Sequence, residues 1–246
     1  MPIEITNVGI KGPKGDTGQS GLPLLAVNAV PTKMITPVTT FTGLAVSDNG
    51  AGKVLLTGVG AHGLSAADAI GANLYVSSGT GWAVGSRHKI ISLDADITGN
   101  KIGLDTPFTS QGVPSIALGA ATVGAIQVPI PALGTNGMIR GSISYSFKQN
   151  ANAKAVSVRC QSLIFAEETD LLNIKSYRLI FEVNNRGVTS SQVGLASGMK
   201  GGVGPSINDL KLAALDLSAP TSFGLALTFF PAEPITIEKY LFEAFV

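Results

Sequence analysis

Residues 137–147 read GMIRGSISYSF, and this stretch decides the fold. Ile139, Ile143, Tyr145 and Phe147 fall on one side of an extended chain, and Arg140, Ser142, Ser144 and Ser146 on the other. A period of two marks a strand with one face in a core and one in water. The neighbouring stretches repeat the pattern: IQVPIP (126–131), KAVSVRC (154–160), SYRLIFEVNNRG (176–187), SFGLALTFF (222–230) and ITIEKYLFEAF (235–245). SYSFKQNANAKAVSVR (144–159) reads as a hairpin about a polar Gln149–Asn152 turn, and VNNRG (183–187) as a second sharp reversal. Six or more strands in this half predict a jelly-roll or related β-sandwich over residues 111–246. The apolar YLFEAFV end is expected to be buried in that sandwich or against a neighbouring subunit.

Upstream, GKVLLTGV, NLYVSS, GWAVGSRHKIISLD and KIGLDTPF are short strands bounded by Gly, Asn or Asp, which predicts a small antiparallel barrel or sandwich over 38–110. Residues 24–37 lie in LPLLAVNAVPTKMITPV, where Pro31 and Pro37 block a helix, and read as an extended linker. Before them Gly9, Gly12, Gly15, Gly18 and Gly21 keep strict three-residue phase over 9–23, GIK GPK GDT GQS GLP. A collagen-type triple helix needs this phase because only hydrogen fits at its crowded axis. Lys14 and Asp16 stand where a cation on one chain reaches an anion on the next. Five triplets span about 45 Å at roughly 3.1 Å per residue, too short to be stable alone. The repeat therefore implies a homotrimer clamped by downstream domains and by an anchor over residues 1–8, with Ile3, Ile5 and Val8 as its apolar contacts. The fold class is all-β: collagen-like arm, small β-module, jelly-roll head.

Composition narrows the function. Charged residues make up 13% of 246, about half the usual share, so subunit contacts are the natural cover for so much neutral surface. A net charge of +1 argues against a dedicated nucleic-acid binder, which would carry a basic face. Cys160 is the single cysteine, so a disulfide framework or thiolate metal site within the chain is excluded, and it reads as a small buried residue. The start MPIEITNVGI carries no secretory signature. No charge occurs between Asp105 and Arg140, yet Pro114, Pro129, Pro131, Gly119, Gly124 and Gly134 break any membrane-spanning helix there. Those residues read as interdomain linker and buried strands.

Catalytic and ligand motifs are sparse. Gly58, Gly60 and Gly63 form a GxGxxG after KVLLT, but the ten residues before the next strand leave no room for a crossover helix, so a turn is expected. His62 and His88, the only histidines, lack ligand-spaced partners, and neither metal nor cofactor is expected. Glu167, Glu168 and Asp170 read as a solvated turn rather than a hydrolytic pair. No Ser–His–Asp set has local support, so the chain reads as non-enzymatic, with a polysaccharide depolymerase the enzymatic alternative. The candidates for contact with a partner are Trp82, as an exposed aromatic anchor although a lone tryptophan is more often a core or interface residue, and Met199 and Lys200 in GLASGMKGGVGPS (194–206), read as a mobile loop.

Three stretches carry a resemblance: GPKGDTG; AHGLSAADAIGANLYVSSGTGWAVGSRHKIISLD (61–94); and TNGMIRGSISYSFKQNANAKAVSVR (135–159) with NNRGVTSSQVG (184–194) and ITIEKYLFEAF. Together they resemble fibre and spike proteins of tailed-bacteriophage virions. The resemblance implies a trimeric structural protein of the virion, fixed to other virion proteins by its N-terminus, with a head binding a host-surface glycan or protein. The short chain, without a long shaft, points to the alternative of a capsid decoration protein or head fibre that stabilises the shell or aids weak attachment. Neither nucleic acid nor membrane insertion is expected as a partner.

Overall fold

The computed structural model describes residues 24–27, 30–160, 163–169, 171–200 and 205–245. The glycine repeat and the anchor residues Ile3, Ile5 and Val8 lie outside them. The described chain opens with two short strands, β1 (Leu24–Val27) and β2 (Thr32–Met34). A small module follows: β3 (Ala45–Asp48), β4 (Lys53–Thr57), helix α1 (Ala66–Ala69), β5 (Asn73–Ser78), β6 (Ser86–Leu93), β7 (Lys101–Pro107) and β8 (Ser115–Ile116). Its antiparallel order is β8-β5-β6-β7-β4-β3. Val54 and Leu56 of β4 and Leu74 and Val76 of β5 alternate into one core with Phe41, Leu64, Trp82, Ile90, Ile102 and Leu104.

The GxGxxG is a packing device in this module. A Cβ on Gly58 would lie 2.5 Å from the ring of Phe41, and Gly63 has φ +70° with Val38 2.5 Å from its Cβ position. The glycines let segment 38–42 cross close over the end of β4. Helix α1 is four residues long, capped by Ser65, and β4 and β5 are not neighbours in the sheet. The turn reading stands.

His62 sits at this crossing, fully buried, its Nδ1 accepting the Leu64 N–H at 3.0 Å. Its Nε2 is 3.6 Å from Asp94 Oδ1, beyond hydrogen-bond length. Burial holds the imidazole below its ordinary value, against the opposing pull of the Asp94 carboxylate. His88 is also held down by burial, between Ser86 Oγ at 2.7 Å and Thr106 Oγ1 at 2.8 Å.

Among the described residues the second half contains nine strands: β9 (Thr122–Ile130), β10 (Met138–Phe147), β11 (Ala155–Cys160), β12 (Leu163–Glu168), β13 (Ser176–Asn185), β14 (Gln192–Lys200), β15 (Pro205–Ala213), β16 (Thr221–Thr228) and β17 (Ile235–Phe245). One sheet runs β15-β14-β13-β10-β17 and the other β12-β11-β16-β9. The pairs β10–β17, β11–β16 and β13–β14 are nested, as in a long hairpin rolled over on itself into a jelly-roll-type sandwich. Ile139, Ile143, Tyr145, Leu179, Phe181, Val183 and Phe242 meet Val156, Val158, Cys160, Phe223, Leu225 and Leu227 in the core between the sheets. Cys160 is a buried free thiol, as its setting suggests.

Several expectations need correction. Strands β10 and β11 do not form a hairpin: β10 has β13 on one edge and β17 on the other, so the chain must cross to the second sheet. Residues 24–37 are not a free linker, since β1 and β2 both pair with β17. The small module extends past residue 110: β8 pairs with β5, and Ile116 and Leu118 pack on its core. GLASGMKGGVGPS is not a loop through its length. Residues 194–200 belong to β14 and 205–206 to β15, a hairpin whose pairing supplies the backbone bonds that its glycines left undecided in sequence. Glu167 and Glu168 stand on β12 rather than between strands, and Glu168 accepts the Tyr177 hydroxyl at 3.2 Å. Asp170 lies outside the described residues.

The two cores meet at β2. Met34 enters the sandwich core and Ile35 the core of the small module. Asn73 closes the joint, its carbonyl accepting the Ile35 N–H at 3.1 Å and its amide donating to the Lys33 carbonyl at 2.9 Å.

Two outcomes follow from this packing. A Cβ on Gly141 would sit 2.6 Å from the Phe181 ring and 2.8 Å from the Leu241 carbonyl. Gly141→Ala should therefore cost about 1–3 kcal/mol, read as a lower urea midpoint; an unchanged midpoint would mean that the ring moves aside freely. Both histidines have folded values below their unfolded ones, so the unfolded chain binds the extra protons. Stability should be full above about pH 6.5 and fall as pH drops through the histidine range. Thermal melts from pH 8 to 5 check this, and a midpoint that rises on acidification contradicts it.

Candidate binding face

The outer face of the larger sandwich sheet is set by the same alternation that fills the core. With Ile139, Gly141 and Ile143 turned inward, β10 presents Arg140 and Ser142 outward. Register then assembles two rows across four strands. One reads Glu243, Arg140, Glu182, Leu195 and the other Leu241, Ser142, Ile180, Ser197, from β17 through β10 and β13 to β14. Together they line a depression of about 480 Å³.

Its chemistry is mixed. Arg140 Nε donates to Glu243 Oε2 at 2.6 Å, and the guanidinium stands 5.2 Å over the ring of Phe245. The strand ladder and this double contact fix a planar cation in place. On the far side Asn184 donates to Glu182 Oε1 at 2.7 Å. Ile180 and Leu195 are exposed apolar side chains beside these charges, at 38% and 47%. Such a face offers oriented donors and acceptors over apolar ground, the means of reversible recognition.

The second depression, about 330 Å³, lies on the outer face of the other sheet. It is lined by Gly124, Gly224 and Ala226, and its polar groups serve one another: Ser222 donates to Gln127 at 3.3 Å and Arg159 Nε to Ser157 at 2.9 Å, with Glu167 3.6 Å from the Arg159 guanidinium. Among the described residues no three of His, Cys, Asp and Glu come together as metal ligands.

The residues singled out in sequence do not meet on either face. Trp82 is a core residue of the small module and not an exposed anchor: it is 7% exposed, its Nε1 donates to the Gly112 carbonyl at 2.7 Å, and its ring meets His88 edge-on at 4.9 Å. Met199 and Lys200 end β14, paired with Arg178 and Tyr177 of β13. Arg140, Glu182 and Glu243 escaped notice because each is one polar residue in an alternating strand. Only the strand order brings them together.

No family model matches the chain, and no curated protein sequence matches it. Solved structures similar to it include lectins and a phage module. The CBM2 module of the evolved Dit of Lactobacillus casei BL23 phage J-1 has 11% identity, with 87% of this chain and 96% of that one covered, at a TM-score of 0.33. Basic winged bean lectin with Tn-antigen has 8% identity over 48% and 76%, at 0.31. Lectin I-B4 from Griffonia simplicifolia has 7% over 70% and 92%, also at 0.31. Identities and scores this low carry no functional inference, and the chain's own residues must supply it.

Proposed function

We propose that this chain is a non-enzymatic structural protein of a tailed-phage virion: a homotrimeric fibre or spike attached through its N-terminus, whose sandwich binds a host-surface glycan. The observation that carries the trimer and the virion setting is the in-phase glycine series Gly9 to Gly21 in front of an all-β body. Glycan binding rests on the Glu243–Arg140–Glu182 row, which supplies bidentate-capable donors and acceptors beside the apolar Leu195 and the ring of Phe245. A sugar needs that pairing, hydrogen-bonding groups at its rim and apolar surface under its C–H faces. Low charge, 13% of residues, favours the second reading of a decoration protein seated on the capsid shell.

Light scattering of the full chain should give the mass of three chains; a mass of one or two overturns the trimer. On an array of bacterial surface polysaccharides, Arg140→Ala should weaken binding about tenfold or more, the worth of a hydrogen bond to a charged group. Equal binding by the variant removes the face from the proposal. Copy number in purified particles separates the two virion roles, since a decoration protein is present in tens to hundreds.

A further inference from the structure

At the corner where the chain leaves β10 for β11 a lysine is buried. Lys154 is 2% exposed, and its Nζ lies 2.8 Å from Asn150 Oδ1 and 2.9 Å from Glu233 Oε2, with the carbonyls of Asn152 and Lys148 at 3.1 and 3.3 Å. Asn150 joins the same carboxylate: its Nδ2 donates to Glu233 Oε1 at 2.5 Å. Asn150 Oδ1 also accepts the Asn152 N–H at 3.1 Å. Glu233 Oε2, though close to the amine, is out of hydrogen-bonding alignment and has no other hydrogen-bond partner. A buried amine and a buried carboxylate are thus in contact with each other and with a half-buried primary amide.

We propose that Lys154 and Asn150 form an intramolecular amide cross-link, with Glu233 as the proton-transfer group. The three reacting groups lie within contact distance of one another, and small side-chain rotations bring the amine to the amide carbon. Glu233 Oε2 takes a proton from the Lys154 ammonium and exposes the nitrogen lone pair. The amine attacks Asn150 Cγ, and the carbonyl electrons move to Oδ1, which the Asn152 N–H already holds. The new C–N bond closes in that step, and the Cγ–Nδ2 bond breaks as the electrons on Oδ1 return to re-form the carbonyl. One proton of the attacking nitrogen passes to Nδ2, which departs as ammonia, and Glu233 is left as a neutral acid. No oxidant or co-reactant is consumed. Confinement replaces an encounter in solution, and such confinement is worth many orders of magnitude in effective concentration. The product exchanges a buried ion pair, costly to desolvate, for a neutral amide. Residues four apart are within lactam reach, and the bridge would lock the corner that carries the chain between the two sheets.

Intact-mass spectrometry of the full-length protein, followed by peptide mapping, tests the inference. The expected wild-type mass is below the sequence mass by one ammonia. In the map Asn150 and Lys154 occur in one cross-linked peptide, and trypsin does not cut after Lys154. Glu233→Gln and Lys154→Arg, checked for folding by circular dichroism, should keep the full sequence mass. A folded wild type at full sequence mass overturns the proposal whatever the variants do. So does an ammonia loss that leaves Lys154 cleavable, since that marks a succinimide at an asparagine.

Discussion

The pairing of β17 is the constraint on which the structure depends. It runs beside β10 from Met138↔Phe245 to Phe147↔Ile235, and its other edge takes β1 and β2. One strand near the chain's end thus seals the sandwich sheet, receives the segment that leaves the N-terminal arm, and through β2 holds the small module. Met34 and Ile35 express the same constraint in two residues. Successive side chains of an extended chain point opposite ways, so placing β2 on β17 sends Met34 into one core and Ile35 into the other. The modules are linked by a pleat rather than a tether.

The strands themselves were legible, because alternation is a local signal. GMIRGSISYSF becomes β10, and Ile139, Ile143 and Tyr145 are buried as their phase requires. What alternation does not encode is which strand lies beside which. The polar stretch between β10 and β11 looks like a hairpin turn in sequence, and nothing local says that both edges of β10 are taken by strands from thirty to a hundred residues away. The same limit hid β1 and β2, short segments whose partner is near the opposite end of the chain. The glycines of β14 misled in another way. Gly194 and Gly198 read as loop, but Gly198 serves where the Tyr177 hydroxyl fills the space of a Cβ.

The candidate face was illegible for a reason of the same kind. Arg140, Glu182 and Glu243 are spread over more than a hundred residues and share no motif. Register alone brings them into a row. Trp82 drew attention as a rare, large aromatic, yet the bulk that makes a tryptophan a good anchor makes it an equally good core residue. The Gly112 carbonyl settles its indole N–H inside the small module.

The point at which the described chain begins bears on how the proposed trimer would work. Leu24, the first described residue, pairs with Glu243 in the Arg140 row. Residue 24 follows the glycine repeat in sequence, so the described chain begins in a strand paired with β17 beside the candidate face. In a trimer joined by that repeat, the three β17 edges would be drawn toward the common axis, while β14 and β15 would lie at the far side of each sheet. Leu195 and Ser197 would then form the outer rim of each depression and Glu243 its inner rim. The arm would set the distance between three equivalent faces as well as hold the chains together. Weak individual contacts on faces held at fixed spacing combine into firm attachment, a use of the repeat that a flexible linker of equal length would not provide.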